Sequence, residues 1–406
     1  MKTVKPHILI VSTSRWFSTG RLAMAFAAAG CRVDAVCAKA HPLKHTKAVG
    51  RLFPLGSFAP MRSIARAISI AKPNLLLPTD DLATRYLHNL YHGERRARKP
   101  EAFIATVIEQ SLGDPVNFPV LDGRASFMTV AAEEGIRIPK TKNLTNLHEF
   151  ESCLTELEFP VVLKADRTSG GTGVRLVHTA QEAKRALKEL QVRRTVFQRL
   201  ARANDVMAQS FISGRDVISE VACWRGRVLA SVHFEVLQKQ YVRGPASVLR
   251  RIENAEMSAA IEKIARRLGL SGLHGFDFIL EEGSGNAYLL EINPRATQIG
   301  HLTLGPDHDL PAVLSSAVSG NPVRLAPQIT ENETIALFPQ EWVRDPQSIF
   351  LRMGHHDVPW EDPEFIHACV RSLKISRSLR EQREQAIVPS VAPLTALRAG
   401  KSPGAD

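Results

Sequence analysis

The chain has 406 residues, 44% of them hydrophobic, and this length predicts two or three globular domains rather than one core. Its apolar runs are far shorter than the roughly 18 residues that cross a bilayer, and no cleavable signal pattern follows Met1, so we expect a cytoplasmic protein without a membrane partner. Five cysteines without paired spacings argue against a disulfide framework or a zinc site and favour reduced, mostly buried thiols.

The formal net charge of +11 raises the question of an anionic partner. Basic residues concentrate in helical-looking segments such as 94–101 and 376–384, where acidic residues are interspersed and no aromatic residues alternate for base stacking. This pattern is typical of solvated helix faces. We therefore expect no nucleic-acid partner, and the alternative of nucleic-acid binding predicts a steeply salt-dependent affinity.

The first 80 residues alternate between short apolar runs and a helical pattern. Runs at 7–12, 32–37 and 73–81 predict strands, and the alanine-rich segment 19–30 predicts a helix closed by glycine. This order predicts a Rossmann-like, open parallel α/β sheet. The residues after the first strand lack the GxGxxG fingerprint, which argues against a dinucleotide site.

Three hydroxyl residues follow the first predicted strand, Ser12, Thr13 and Ser14. At the carboxyl end of a strand they have two interpretations, a contribution to a ligand site or the cap of the following helix.

The remainder of the chain changes character near residue 121. A helix ending at Gly135, strands at 159–166 and 173–178, and a helix capped by Thr179 predict a small α+β lobe. From residue 205 the pattern predicts antiparallel strands joined by the tight turns SGRD and WRGR, a helix at 255–269 and a further hairpin.

These patterns predict four units. They are a parallel-sheet domain at 1–120, a small lobe at 121–200, a large lobe at 201–325 and an extension at 326–406, with a tail rich in Pro, Ala, Gly and Ser that is expected to be disordered at its end.

The hairpin at 274–297 carries the most informative side chains. If its turn is centred near Ser284, Asp277 lies opposite Glu291, and Asn293 shares the face of Glu291 because side chains alternate along a strand. Two carboxylates and an amide oxygen at this separation repel unless a cation lies between them. Oxygen donors without histidine or cysteine suit Mg²⁺, which takes the rest of its ligands from water and phosphate oxygens.

An acidic hairpin whose charges reach solvent is the alternative interpretation. We expect Ile279 and Leu289 beside the carboxylates, and such apolar neighbours do not suit an outward face. Arg295, two positions after Asn293, is expected to point across the same patch, where a permanently charged guanidinium would stabilise a developing oxyanion.

A second candidate element is the stretch FPVVLKADRTSGGTGVRLV at 159–177. Lys164 lies in an apolar strand, and Gly170, Gly171 and Gly173 allow backbone N–H groups to approach an anion. The spacing excludes a Walker-type phosphate loop. A mobile hairpin tip remains the alternative interpretation for the glycines alone.

The segments VVLKADRTSGGTGV, AQSFISGRDV and GFDFIL followed by AYLLEINPR occur in an order and spacing that resemble the ATP-grasp superfamily of carboxylate ligases. This superfamily includes biotin carboxylase, carbamoyl-phosphate synthase and D-alanine:D-alanine ligase. The resemblance covers residues 120–320, and the alternating first segment looks like the family's usual N-terminal domain. It implies a two-lobed ATP-grasp domain between that domain and a C-terminal extension.

The resemblance implies a role for each matching position. Ser169 to Gly173 match the lid over the nucleotide, Asp216 matches the acid that binds the ribose, with a hairpin-edge carboxylate as its alternative, and Arg295 matches the arginine of the acyl-phosphate step. The positions matching nucleotide-binding residues are Arg124, Lys164, Ser169, Gly170, Gly171, Thr172, Gly173, Gln209, Ser210, Phe211, Ile212 and Asp216. The positions matching magnesium ligands are Asp277, Glu291 and Asn293.

Two of these positions depart from the family pattern. Gln209 stands where the family often has an acidic residue beside the adenine, so only backbone contacts from Ser210 to Ile212 are expected there with certainty. Arg124 stands where the family commonly has a lysine, which retains the charge and changes the shape.

The resemblance implies an ATP-dependent ligase with Mg²⁺, or Mn²⁺ in its place, that joins a small carboxylate to an amine or another nucleophile through an acyl phosphate. Similar proteins are commonly dimers, so a homodimer is one expected state. A nucleotide-binding regulatory or scaffold protein without turnover is the second hypothesis, which the combination of Arg295 with the ligand set disfavours.

The sequence indicates less clearly which residues bind the substrates. His233, Glu235, Lys239 and Arg243 lie where a family member begins to line the acceptor site, and His301 follows Arg295 closely. For each, an ordinary structural side chain is the alternative interpretation.

Overall fold

The computed structural model describes residues 5–97, 102–144, 156–166, 173–192, 206–242 and 244–372. The helices are α1 Ser18–Ala28, α2 Pro60–Ala71, α3 Asp81–Arg96, α4 Ala102–Leu112, α5 Phe118–Asp122, α6 Arg124–Glu133, α7 Ala180–Val192, α8 Ala255–Leu268, α9 Leu310–Ser319, α10 Gln340–Arg344, α11 Phe350–Met353 and α12 at 363–372. The strands are β1 His7–Val11, β2 Arg32–Cys37, β3 Leu52–Pro54, β4 Leu75–Pro78, β5 Thr141–Leu144, β6 Val161–Ala165, β7 Val174–Val177, β8 Val206–Ser210, β9 Gly214–Trp224, β10 Arg227–Lys239, β11 Ala246–Arg251, β12 Gly272–Glu281, β13 Ala287–Asn293, β14 Thr334–Leu337 and β15 His355–Asp357.

The N-terminal sheet is parallel, with the strand order β3-β2-β1-β4. Both faces of β1 are buried, because Ile8 and Ile10 enter one hydrophobic cluster while Leu9 and Val11 enter another. A parallel sheet covered on both faces accounts for the continuous apolar run that identified this strand in the sequence. The carboxyl ends of β1 and β4 lie side by side at one edge.

The large sheet has seven strands in the order β13-β12-β9-β10-β11-β14-β15. One face of it, including Phe276 and Phe278, packs on α6 and α8. The opposite face contributes Phe234 and Leu273 to the cluster that also contains Ile8 of the N-terminal sheet. The two sheets therefore share one core, which fixes their relative position near the hairpin β12–β13.

The small sheet is antiparallel, with the order β5-β8-β6-β7, and α7 packs against it. The expected cap of α7 is present, since Thr179 Oγ1 accepts a hydrogen bond from the N–H of Glu182 at 3.2 Å. One expectation was wrong: β8 does not form a hairpin with β9 through the SGRD turn but pairs with β5 and β6. Val206 and Ala208 of β8 are buried in the core of this smaller sheet.

The C-terminal segment extends the large sheet, because β14 pairs with β11 and β15 pairs with β14. Helix α12 packs on α1, where the Phe365 ring lies so close to Gly20 that a Cβ at that position would be 2.3 Å from it. Buried Asp357 of β15 accepts hydrogen bonds from Arg21 and from His301 Nε2, the latter at 2.8 Å. These contacts tie residues 335–372 to the N-terminal sheet.

The fold class expected from the sequence, α/β and α+β with an N-terminal parallel sheet, is confirmed. The four-unit division at residues 120, 200 and 325 stays a prediction. The described cysteines form no disulfide bond, and all are buried: Cys31, Cys37, Cys223 and Cys369. Cys153 lies outside the described residues. In the parts of the chain that the structure describes, no helix combines the length and apolarity that a bilayer crossing requires.

Candidate active site

The register of the hairpin β12–β13 brings the two acidic side chains together as expected. Asp277 is paired with Glu291, and Gly275 is paired with Asn293. Directly opposed residues of antiparallel strands project to the same face of the sheet, so both carboxylates and the Asn293 amide lie on one face. The Asn293 Nδ2 lies 3.5 Å from Asp277 Oδ2.

The register shifts by one residue between this pair and the turn, because Phe278 pairs with Leu289 and not with Leu290. Leu290 is therefore the extra residue of a β-bulge. The bulge places Leu289 on the face of Phe278, where it is fully buried in the core. The expectation that Leu289 lies beside the carboxylates was wrong, since an unbroken alternation had been assumed along β13.

Gly275 lies between the strand that carries Asn293 and the strand that carries the buried Glu220. A Cβ at Gly275 would lie 2.3 Å from Thr297 Cγ2 and 3.3 Å from the Asn293 Cβ. Glycine is thus required here by the close approach of the segment that follows β13. Glu220 accepts hydrogen bonds from the N–H of Thr297, at 3.0 Å, and from its hydroxyl, which holds that segment against the sheet.

Two cations face the carboxylates from other elements. Arg124, the first residue of α6, donates from Nε to Glu291 Oε2 at 3.1 Å and from Nη1 to the carbonyl of Ala165 at 2.5 Å. Lys164 of β6 is 8% exposed, and its ammonium lies within electrostatic reach of Glu291 and Asp277. The small sheet and the N-terminus of α6 thus supply positive charge to the acidic patch of the large sheet.

Burial and neighbouring charges both change the pKa values of these groups. Burial and the neighbouring Glu291 raise the pKa of Asp277. Burial also raises the pKa of Glu291, but Arg124 and Lys164 outweigh it and hold that pKa below its usual range. Burial lowers the pKa of Lys164, opposed by the charge of Glu291. A cation that binds between the carboxylates therefore competes with a proton on Asp277.

The donor set fits a hard divalent cation. Among the described residues no group of three His, Cys, Asp or Glu side chains is placed to hold a metal ion. The candidate set here has two carboxylates, and its third donor would be the Asn293 amide oxygen, which also accepts a hydrogen bond from Arg295. Two carboxylates and an amide oxygen suit Mg²⁺, which completes its shell with water and phosphate oxygens. The expectation that the three groups cannot rest together without such an ion was too strong, because Arg124 and Lys164 already offset their charge.

Arg295 follows β13 and lies at the edge of the same patch. Its Nη2 donates to Asn293 Oδ1 at 3.1 Å, its Nε donates to Asp81 Oδ1 at 2.7 Å, and its Nη1 donates to the carbonyl of Ala296 at 3.3 Å. The sequence placed Arg295 beside Asn293, and the geometry agrees. It did not identify Asp81, although the TDD motif at the carboxyl end of β4 was a usable signal.

A cleft runs between the N-terminal domain, α6 and the end of β13. Its walls combine charged and polar groups with apolar side chains. The lining residues include Asp81, Arg85, Arg124, Asp166, Glu291 and Asn293. Of the groups expected to bind phosphates or metal, Arg124, Glu291 and Asn293 are thus exposed to one common space.

The other nucleotide-binding candidates divide into described and undescribed positions. Gly173 directly precedes β7, and its carbonyl accepts a hydrogen bond from the N–H of Ala165 at 2.9 Å. The candidates that lie outside the described residues are Ser169, Gly170, Gly171 and Thr172.

Strand β8 and the residues after it carry the expected adenine contacts. Gln209 is buried and donates to Thr141 Oγ1 at 3.0 Å, which fixes its amide within the small sheet. The N–H groups of Ser210 and Phe211 donate to the carbonyls of Lys140 and Pro160. Any adenine contact from these two residues therefore involves their side chains or carbonyl groups. Ile212 is half-buried, and the Phe211 ring is 42% exposed.

Asp216, the expected ribose ligand, lies on β9 on the same face as Asp277. Its Oδ2 accepts from Lys239 Nζ at 2.5 Å. Lys239, one of the candidates for the substrate side, is therefore paired with the candidate ribose ligand.

The other substrate-side candidates have structural partners or fall outside the description. His233 and Glu235 project from β10 to the face that packs on α8, away from the carboxylates, where His233 contacts Ser219 and Ser258. His301 is buried against Asp357. Arg243 lies outside the described residues.

Ser12, Thr13 and Ser14 do not cap α1, whose N-cap position is Phe17. Instead the N–H and hydroxyl of Thr13 and the N–H of Ser14 donate to Asp80 at 2.6–3.1 Å. Asp80 also accepts from the N–H of Ala83 and caps α3. The hydroxyl cluster thus holds together the two adjacent strand ends, β1 and β4.

Comparisons with known proteins bear on the central segment of the chain and on its fold. A family model described as an ATP-grasp domain matches residues 126–298. The arginine-specific large chain of carbamoyl phosphate synthase from Geobacillus stearothermophilus is 22% identical over 174 residues. That match covers 41% of this chain and 16% of the relative, so the chain matches only a small part of that relative's length.

Solved structures share the fold over a longer span. N5-carboxyaminoimidazole ribonucleotide synthetase in its ADP complex superposes with a TM-score of 0.59 at 16% identity, covering 80% of this chain and 81% of the other. The biotin carboxylase domain of 2-oxoglutarate carboxylase from Hydrogenobacter thermophilus gives a TM-score of 0.58 at 18% identity, covering 78% of this chain and 71% of the other. Residues 126–298 of the chain therefore match an ATP-grasp domain, and the fold as a whole is that of these solved structures.

Proposed function

We propose that this protein is an ATP- and Mg²⁺-dependent ligase that activates a small carboxylate as an acyl phosphate and transfers the acyl group to an amine or a related nucleophile. The observation that supports it most is the convergence of Asp277, Glu291 and Asn293 with Arg124 and Lys164, contributed by four separate elements. A polyphosphate and a divalent cation together match this mixture of hard oxygen donors and cations.

The proposed chemistry has two steps. A carboxylate oxygen of the substrate attacks the γ-phosphorus of ATP, the bond to the β,γ-bridging oxygen breaks, and ADP leaves. The amine nitrogen then attacks the acyl carbon, inorganic phosphate leaves with its electron pair, and the nitrogen loses a proton. Positioning and charge compensation account for most of the catalysis in phosphoryl transfer.

The chain's own residues have distinct tasks in this proposal. Lys164 and Arg124 offset the negative charge of the phosphates, and Arg295 faces the carboxylate and its tetrahedral oxyanion. Asp277, Glu291 and Asn293 hold the Mg²⁺, which when bound neutralises phosphate oxygens. Asp216 is proposed to bind the ribose, in exchange for its present contact with Lys239.

The relatives support the same reaction class. The similar biotin carboxylase domain was solved with MgADP, ADP and bicarbonate, and the similar synthetase was solved with ADP. A nucleotide with magnesium and a small carboxylate-like anion is accordingly proposed as the ligand set of this chain. The same proposal includes a homodimer, the state in which that biotin carboxylase domain was solved. It also includes a cytoplasmic location.

The proposal is tested by a phosphate-release screen with ATP and Mg²⁺, in which amino acids and small carboxylates are supplied singly and in pairs. We expect release only when both a carboxylate and an acceptor are present, with a mass increment that identifies the amide product. Tight Mg·ATP binding without release for any pair would instead favour a nucleotide-binding protein that lacks turnover.

A further inference from the structure

Asp81 is the first residue of α3, directly after β4 of the N-terminal sheet, and it contacts a residue that follows β13. Its Oδ1 accepts a hydrogen bond from Arg295 Nε at 2.7 Å. The two side chains are 26% and 20% exposed, so the ion pair is largely shielded from solvent. Asp81 and Asn293, which both bind Arg295, line the cleft.

The Arg295 guanidinium is held at all three of its nitrogens. Nε is bound by Asp81, Nη2 by the Asn293 amide oxygen and Nη1 by the Ala296 carbonyl. A guanidinium has five N–H groups, so these three bonds leave one N–H on each terminal nitrogen. Two parallel N–H groups match the bidentate geometry of a carboxylate or phosphate.

The surrounding backbone reinforces this arrangement. The N–H of Ala296 donates to the carbonyl of Pro78 at 3.0 Å, and Thr84 Oγ1 donates to the carbonyl of Pro294 at 3.0 Å. The neighbouring Asp80 is already used by Thr13, Ser14 and the α3 cap. Asp81 is consequently the acidic group at this strand end that is directed at Arg295.

We propose that Asp81 is a positioning residue, which orients the Arg295 guanidinium so that its two remaining N–H groups point at the anionic substrate. This inference rests on the proposed function. Asp81 acts through Arg295 and does not itself touch the reacting atoms. The N-terminal domain thereby contributes to the chemistry of a site whose other members come from the ATP-grasp domain.

The kinetic test uses Asp81→Asn, which preserves shape and removes charge. We expect kcat to fall by about 10- to 100-fold, as for other losses of supporting groups, while the Kd for Mg·ATP changes less than about threefold. Asp81→Glu, which keeps the charge, should recover part of the loss. Asp307→Asn makes the same change of charge at an exposed position away from this interface and should retain kcat.

A double-mutant cycle separates positioning from general structure. If Asp81 acts through Arg295, adding Asp81→Asn to Arg295→Ala should lower kcat no further. Additive losses would overturn the proposal. Thermal unfolding of each variant shows whether the fold is retained.

A measurement without turnover keeps this test separate from that of the proposed function. In ¹⁵N-labelled protein, Arg295→Lys identifies the Nε–H resonance of Arg295 by its disappearance. We expect Asp81→Asn to shift that resonance and to speed its exchange with solvent, while Asp307→Asn leaves it in place. An unchanged resonance in Asp81→Asn would refute the positioning role, whether or not a substrate pair supports phosphate release.

Discussion

Arg124 and Glu291 form an ion pair across the cleft, with Nε and Oε2 3.1 Å apart. Arg124 begins α6, whereas Glu291 lies on β13 of the large sheet, so the pair connects elements that are 167 positions apart in sequence. Its charge compensation stabilises the acidic patch in the absence of nucleotide. In the proposed function, binding of Mg·ATP exchanges this contact for contacts with phosphate and metal, which makes Glu291 the most informative position to alter.

Glu291→Gln should remove one of the two carboxylates while keeping the volume of the side chain. We expect Mg²⁺ affinity to fall by more than about tenfold, because even supporting groups around a metal cost 10- to 100-fold when they are lost. Magnesium-dependent phosphate release should fall with it. Glu282→Gln, at the exposed tip of the same hairpin, is the matched control. Undiminished release by Glu291→Gln would contradict the proposed ligand role.

Lys164→Ala should weaken ATP binding by roughly 10- to 100-fold, the range expected for a hydrogen bond to a charged group. Calorimetric titration with Mg·ATP measures this directly. Lys142→Ala, on β5 of the same sheet, is the control, since Lys142 is exposed and paired with Glu156. Unaltered nucleotide affinity in Lys164→Ala would reassign the lysine to packing of the small sheet.

Arg295→Ala should lower kcat by about 100- to 1,000-fold, the cost of removing one oxyanion donor, and should leave ATP affinity nearly intact. Measuring both kcat and the Kd for Mg·ATP distinguishes a loss of catalysis from a loss of nucleotide binding. Arg227→Ala, exposed at the start of β10, controls for the loss of a positive charge. A variant of Arg295 that simply failed to bind ATP would place the arginine on the nucleotide and not on the carboxylate.

The raised pKa of Asp277 predicts a pH dependence of stability in the metal-free protein. A carboxyl with a higher pKa in the folded chain binds more protons there, so its contribution to the free energy of unfolding is lost as pH rises through the folded pKa. Asp277→Asn cannot ionise. In chelator, the variant should match the wild type near about pH 4 and exceed it by about 1 kcal/mol or more in alkaline solution.

The same pKa predicts that a proton and Mg²⁺ compete for Asp277. The Mg²⁺ affinity of the wild type should rise with pH by up to about tenfold per unit below that pKa. In Asp277→Asn, Mg²⁺ binding should be weak and should show a flatter pH profile. A wild-type affinity independent of pH would show that Asp277 is already ionised in the metal-free protein.

The sequence predicted that Asp277, Glu291 and Asn293 share one face of a hairpin, because strand alternation and turn residues are local features. Their observed register also depends on the bulge at Leu290, since unbroken alternation from the Phe278–Leu289 pair would turn Glu291 to the core face. Lys164 was identified by its place in an apolar strand beside glycines. Long-range relationships were not accessible in this way. The pairing of Arg124 with Glu291, the pairing of Asp81 with Arg295, and the membership of β8 in the small sheet depend on tertiary packing, which no local pattern records.

Local sequence patterns were also insufficient to predict which residues line the acceptor site. Glu235 was considered for the acceptor site, but it faces α8 and binds Arg215 and Arg250. Its orientation is determined by the register of β10 against β9, which includes a shift between Val228 and Ala230. One irregular position of this kind reverses the face of every residue beyond it, and composition alone does not reveal it.

The extra residue at Leu290 has a consequence for how this hairpin tolerates change. Leu289 and Glu291 are two positions apart yet face opposite sides, so one short stretch both anchors itself in the core and delivers a carboxylate to the cleft. Removing Leu290 would let Glu291 pair with Asp277 directly after Leu289 pairs with Phe278, so both side chains would keep their present faces. What the extra residue adds is the Leu290 side chain, which stands in the wall of the cleft next to the carboxylate.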